Sequence, residues 1–421
     1  MYSRPSTWGL FLLLLLLPWV SGCDQGSLKS PDVSEGLFQS YVAIGNSITA
    51  GFQSGGINEN TQKESFAVLL AEQMNTPFNV PLLPTPGCPP PLSQAFPPTT
   101  IAPDVDCALR QQFASSTLNN VAVPAAAVVD VLSNTQPSSS PNALTSFILG
   151  GDTQIEAAKQ ANPTFVTAWI GNNDVLGAAL AGDARLATAP DSFRTRYSTM
   201  LSELESIQSL EGGVFLGVAD VTLIPHLSRG AAYRQANNAG ALPSNFNLNN
   251  CSLANSGAAF VPFQHGAALL GVADAVASFG ASVTLDCAQD RTVEETVRQS
   301  LSPNIASIAL EEIPEDVKQI SLLTPQETSV LTDRVTTFNQ IIQNQLGDDY
   351  AFVNPNPLFQ NNLDQIPEFP NLSGSEPFGP LFSLDGVHPS AAAHRLVANR
   401  IIEEINATYD TNLSAVSSSS Q

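Results

Sequence analysis

The sequence predicts an α/β fold, with a parallel sheet covered by helices on both faces. Three observations carry that expectation. Short apolar runs ending in Gly or a polar cluster alternate with helical patterns along the chain. The runs are apolar throughout, as strands buried on both faces must be. The polar clusters that hold candidate chemical groups follow such runs, and in open α/β sheets sites form beyond the carboxyl ends of the strands.

The N-terminus reads apart from this pattern. "WGLFLLLLLLPWV" behind Arg4 is too short for a comfortable membrane span, and residues 1–22 are expected to be a signal peptide. It ends in "VSGC", which resembles a bacterial lipobox. Cys23 is therefore the expected lipidated first residue of the mature chain, and residues 23–38 a flexible tether. The expected location is the envelope of a bacterium, lipid-anchored and facing the periplasm or the exterior.

"YVAIG" at 41–45 reads as the first buried strand, and "NSITAGF" as a turn into a helix. A serine in that setting caps a helix more often than it reacts, so Ser47 is ambiguous on local grounds. "ESFAVLLAEQM" has helical spacing. Residues 77–104 carry ten prolines, which excludes a regular helix or a central strand. This segment is a surface excursion or the stiffened wall of a cleft. "NNVAVPAAAVVDVL" reads as a strand, a turn at Pro124 and a helix, and "PTFVTAWIGNND" as a strand with a polar end. "SFRTRYSTMLSELESIQSL" is an amphipathic helix and "GGVFLGVADVTLIP" a further strand. "SVLTDRVTTFNQIIQNQL" and "YAFVNPNPLF" supply a helix and the last strand.

Residues 226–325 break this rhythm. They are rich in Ala, Asn and Gly, and two apolar stretches in them have no place in a sheet. We read them as an inserted cap between a first part of the main domain, 39–225, and a second part, 326–410. Residues 411–421 read as a flexible tail. The four cysteines left after Cys23 are an even number in an exported chain, which suggests disulfides. Nearest-neighbour pairing gives Cys88–Cys107 and Cys251–Cys287. No spacing typical of metal ligands occurs, so no metal site is expected. With 16 basic against 38 acidic residues, the net charge of −22 disfavours nucleic acid and anionic headgroups as partners.

Serine chemistry requires a base, because a free hydroxyl is a poor nucleophile at neutral pH. The chain has only four histidines. His388 stands three residues after Asp385 in "DGVHP", with Gly386 allowing a tight turn between them. A carboxylate there can hold one imidazole nitrogen and stabilise the imidazolium. His394, inside the following helix, reads as a solvent-exposed bystander, and His226 and His265 belong to the insertion. Asn173 in "GNND" can present an amide to a developing oxyanion.

In chain order, "GNSIT", "NVAVPA", "GNND" and "DGVHP" resemble the four blocks of the SGNH, or GDSL, hydrolase family. The resemblance implies a flavodoxin-like three-layer α/β/α sandwich with a central parallel sheet and, here, a large cap-like insertion. It implies Ser47 as nucleophile, His388 as base and Asp385 as its orienter. The implied oxyanion donors are Asn173 and the backbone N–H groups of Ser47 and Ala125. Ala125 stands where the family has glycine, and a backbone of positive φ there would strain it. No cofactor is implied.

The expected activity is that of a monomeric serine carboxylester hydrolase, an esterase or lipase acting on small-molecule or lipid esters. Two alternatives stand beside it: a carbohydrate O-acetylesterase of the same fold, and a non-catalytic envelope-binding lipoprotein. Three Trp and six Tyr offer few aromatic platforms for sugars, which favours acyl lipids.

Overall fold

Four of the apolar runs become strands of one sheet: β1 (Tyr41–Gly45), β2 (Phe165–Trp169), β3 (Gly212–Leu216) and β4 (Tyr350–Val353). The computed structural model describes residues 36–102, 117–134, 148–254 and 257–417. All three pairings are parallel, in the spatial order β1-β2-β3-β4.

Residues 119–123 run beside β1, with the Ala43 N–H donating to Asn119 O at 2.8 Å and the Val121 N–H to Ala43 O at 3.0 Å. Only a single bridge, Ala43 with Asn120, forms there, so the expected strand is an irregular edge. The reason is local. The Asn119 amide donates to Tyr41 O, and the Asn120 amide oxygen accepts from the Ala122 N–H, so these side chains compete with the ladder. Counting this edge, the spatial order is the flavodoxin-like 2-1-3-4-5.

Between β1 and β2 lie α1 (Ser47–Ala50), α2 (Phe66–Met74), α3 (Val128–Leu132) and α4 (Gln154–Ala161). Helices α5 (Asn173–Ala181) and α6 (Pro190–Glu205) join β2 to β3. The insertion carries α7 (Phe263–Val276), α8 (Pro303–Glu311) and α9 (Glu315–Lys318), and α10 (Pro325–Gln345) follows it. Helix α11 (Ala391–Tyr409) comes after β4.

Alternation along each strand divides the core into two layers. Val42, Ile44, Val166, Ala168 and Phe215 pack with residues of α3, α4, α6 and α10. Tyr41, Ala43, Trp169, Val214 and Leu216 pack on the other side with α2 and α11, including Val397, Ile401 and Ile405. Helices on both faces of a parallel sheet make the three-layer sandwich.

The insertion has a core of its own, built around Tyr233, Phe246, Leu269, Val283, Val297 and Leu310. Within it Phe246–Asn249 pairs in parallel with Val283–Asp286, and Leu227–Arg229 pairs antiparallel with Phe260–Pro262. The Cys251–Cys287 disulfide ties this subdomain together. Cys88 is also disulfide-bonded, while its expected partner Cys107 lies outside the described residues, as does Cys23.

The C-terminal segment differs from expectation. Residues 411–416 turn back along α11, where the Asn406 side chain bonds both backbone groups of Leu413 and Asn399 bonds those of Val416. Two buriable apolar residues, Leu413 and Val416, supply the reason, since both pack on the α2–α11 layer. Among the described residues no helix is long and apolar enough to cross a membrane.

Candidate active site

Strand β1 ends at Gly45, where a Cβ would stand 2.2 Å from the Thr49 hydroxyl and 2.8 Å from the Trp169 carbonyl. A side chain at this position would collide with the neighbouring strand's backbone, so the close approach requires glycine. The Gln154 side chain grips both backbone groups of Gly45 at 2.9 Å, fixing the strand end before the serine. Asn46, not Ser47, is the helix cap: its Oδ1 accepts the Ile48 N–H at 3.0 Å. Ser47 is therefore the first helical residue, with a backbone N–H that the short helix leaves without an intrahelical partner. With four residues, α1 has little dipole to offer.

The Ser47 hydroxyl meets His388 Nε2 at 2.9 Å, and His388 Nδ1 meets Asp385 Oδ2 at 2.8 Å. A carboxylate only accepts, so the Nδ1 proton lies toward Asp385 and Nε2 is free to accept from the serine. Asp385 itself is over-determined. Its Oδ1 accepts the Val387 and His388 N–H groups at 2.8 Å each, and its Oδ2 accepts the Gly55 N–H at 2.6 Å. Burial alone would raise its pKa. The neighbouring His388, through its charge and hydrogen bond, and the His388 and Val387 N–H groups outweigh burial and hold it well below the usual carboxylate range. Gly386 has φ +67°, and a Cβ there would press on the Phe378 ring at 2.8 Å. The tight turn between Asp385 and His388 thus depends on glycine. Phe52 covers His388, its ring 4.8 Å from the imidazole.

The two other sequence-derived donors flank the end of β1, Ala125 after the 119–123 edge and Asn173 after β2. The Asn173 amide donates to Ala126 O at 2.9 Å, and the Val128 N–H donates to Asp174 Oδ2 at 2.9 Å. "GNND" and the "PAAAVV" turn are therefore stitched to one another. Asn173 keeps a second amide hydrogen for another acceptor. Ala125 adopts φ +64°, the left-handed conformation that glycine takes freely, and is exposed. Its N–H makes no hydrogen bond among the described residues.

The profile of the GDSL-like lipase/acylhydrolase family matches residues 41–265, more than half of the chain. The chain belongs to that family. Membership makes it a carboxylic ester hydrolase by class, on the fold described above. No curated protein sequence matches the chain. Among solved structures, an acetyl xylan esterase from Geobacillus stearothermophilus is similar at 12% identity, over 90% of this chain and 97% of that one, with a TM-score of 0.34. An α/β hydrolase enzyme from the metagenome of Lake Arreo, Spain, is similar at 12% identity over 88% and 95%, with a TM-score of 0.33. Likeness at that level says nothing of substrate.

Two residues of this GDSL-family chain escaped the sequence reading. Gly55 sits in a turn where Ser54 and Gly55 both have positive φ, which aims its N–H at Asp385. The signal in "QSGGIN" is only that of a turn. His226, the first residue of the insertion, donates its N–H to Gly386 O and its Nδ1–H to Asp385 O, both at 2.9 Å. It braces the Asp385–His388 turn, and burial holds its pKa below the ordinary histidine value.

His394 also departs from expectation. It is fully buried, and its Nδ1 accepts the Phe66 N–H at 3.2 Å, capping α2. Burial, and next the nearby His388, push its pKa down to about 3, so it stays neutral. Among the described residues no group of three metal-ligating side chains occurs.

Proposed function

We propose that the protein hydrolyses carboxylic esters through an acyl-enzyme on Ser47, as an esterase or lipase of acyl lipids. Ser47 Oγ attacks the ester carbonyl while His388 Nε2 takes its proton, and Asp385 stabilises the imidazolium. Negative charge moving onto the carbonyl oxygen is met by the Asn173 amide and the N–H groups of Ser47 and Ala125. His388 returns the proton to the departing alcohol. Water then adds to the acyl-enzyme by the same route, releasing the acid and restoring the serine. The observation that carries this reading is the unbroken relay Ser47–His388–Asp385, with contacts of 2.9 and 2.8 Å.

A fluorophosphonate should label Ser47 stoichiometrically, and Ser47→Ala should abolish labelling. A folded protein that refuses the probe would refute the mechanism. His388→Ala is expected to lower kcat by roughly three orders of magnitude or more, and Asp385→Ala to fall in the same direction. Near-normal turnover by His388→Ala would remove the base from its role. Acetylated xylo-oligosaccharides turned over faster than every acyl-chain ester would replace the lipid reading by the carbohydrate one.

Anchoring through Cys23 belongs to the same proposal. Metabolic labelling with a fatty-acid analogue should mark the wild-type chain and not Cys23→Ser.

A further inference from the structure

A cavity of about 690 Å³ lies between the insertion and the acid–base turn. Its size falls in the range of small-molecule sites. One wall is α7, which faces it with Ala268, Gly271 and Ala275, and the opposite wall is α8 and α9, with Ile305, Ile308 and Val317. Leu92, Phe96 and Pro98 of the proline-rich segment close a third side. Leu384, Asp385, Gly55 and His226 line it as well, so the cavity shares its boundary with the triad's acid.

Three features define what would fill it. The lining is almost wholly aliphatic and aromatic, offering a sugar hardly any hydrogen-bond partners. Its charged side chains are Asp385 and Glu312, with no Lys or Arg, so an anion is disfavoured. At its edge Phe279 and Ile308 are 72% and 68% exposed, large apolar side chains left in water next to an apolar hollow.

Gly271 supplies a separate clue. It stands inside α7, where glycine weakens a helix, yet a Cβ there would meet no atom within 4 Å. Packing does not demand the glycine; leaving it bare keeps the hollow open.

We propose that this cavity binds a linear, uncharged aliphatic chain, and that the bound chain acts on catalysis by bracing the Asp385 turn. The physical link is His226. It holds Asp385 and Gly386 by their carbonyls, while its own carbonyl accepts the N–H of Phe263, the first residue of α7, at 2.7 Å. A chain packed against α7 therefore presses on the element that positions the acid. The part of the proposal concerning catalysis rests on the ester-hydrolase reading, and the binding part does not. The chain could be the acyl group of the substrate or a separate neutral lipid.

Binding is tested by calorimetric titration of the Ser47→Ala protein with dodecan-1-ol and with dodecanoate at neutral pH. Dodecan-1-ol should bind, and dodecanoate should bind at least tenfold more weakly. Gly271→Phe in the same background should weaken the alcohol roughly tenfold, equivalent to losing the burial of about two methylenes. Ala275→Leu is the second blocking variant, and thermal melts confirm that both are folded. No binding, equal binding of alcohol and carboxylate, or affinity unchanged by either variant would overturn the proposal.

The source of the chain is read from turnover of p-nitrophenyl decanoate and acetate. If the substrate's own chain occupies the cavity, Gly271→Phe cuts kcat/KM for decanoate roughly tenfold relative to that for acetate. If a separate lipid does, dodecan-1-ol changes acetate turnover in the parent protein and not in Gly271→Phe. Neither response would disconnect the cavity from catalysis and overturn that half. Failure of the ester-hydrolase reading itself would appear elsewhere, as absent fluorophosphonate labelling.

Discussion

Ala125 shows what one residue can cost a site. Its φ of +64° places an L-residue in the left-handed region, at a penalty of about 1 kcal/mol. Ala125→Gly should relieve that strain and keep the N–H. Its extra unfolded-state entropy offsets part of the gain, so stability should stay level or rise by up to about 1 kcal/mol. Urea unfolding and ester turnover check both, and a large loss of activity would mean that the methyl group itself matters. Asp174 gives a second test. Buried beside α3, its pKa is pushed up to about 6 by burial, against the Val128 N–H bond that lowers it. In the folded state it binds its proton more tightly than in the unfolded chain, so its contribution to stability falls as pH rises from about 4 to about 6. Asp174→Asn keeps an acceptor for Val128 and does not ionise. The stability of the wild type relative to this variant should therefore drop by on the order of 3 kcal/mol across that window. A flat difference would show that Asp174 is not perturbed.

At the scale of elements, α11 does more than cover the sheet. Through His394 it caps α2, and through Asn399 and Asn406 it holds the C-terminal segment. His394→Ala leaves the Phe66 N–H and a ring-sized space unfilled in the core. A loss of about 2–4 kcal/mol in unfolding free energy is expected, with kcat per labelled serine nearly unchanged. A fall in kcat without a fall in stability would instead place His394 in the chemistry. The loop before α11 was legible because Asp385, Gly386 and His388 fall within four residues. The Gly55 turn was not, since its partner lies 330 positions away.

Over the whole molecule, the insertion's core faces Leu384 and Asp385 of the sheet domain across the apolar cavity. The Cys251–Cys287 bridge closes a loop with a sequence separation of 36 inside the insertion. Chain-entropy arguments assign such a cross-link about 4 kcal/mol. The double variant Cys251→Ser/Cys287→Ser should therefore melt its insertion first. Fluorophosphonate labelling of Ser47 should survive in it, because β1, α1 and α11 pack in other cores. Complete loss of labelling would show that the insertion holds Asp385 and His388 in place, with His226 as the link.

The sequence by itself determined the layer order and the sheet's parallel character, and it singled out Ser47, Asp385 and His388, which the fold joins in one hydrogen-bonded chain. Strand burial, helix periodicity and a short acid–base spacing are local properties, written in neighbouring residues. Tertiary structure alone decided that Asn46 caps the helix, that His394 is buried, and that His226 and Gly55 hold Asp385. It also decided that the insertion and the proline-rich segment enclose an apolar hollow. Each of these is a contact between segments far apart in the chain, and such contacts follow from how the layers pack rather than from any local pattern.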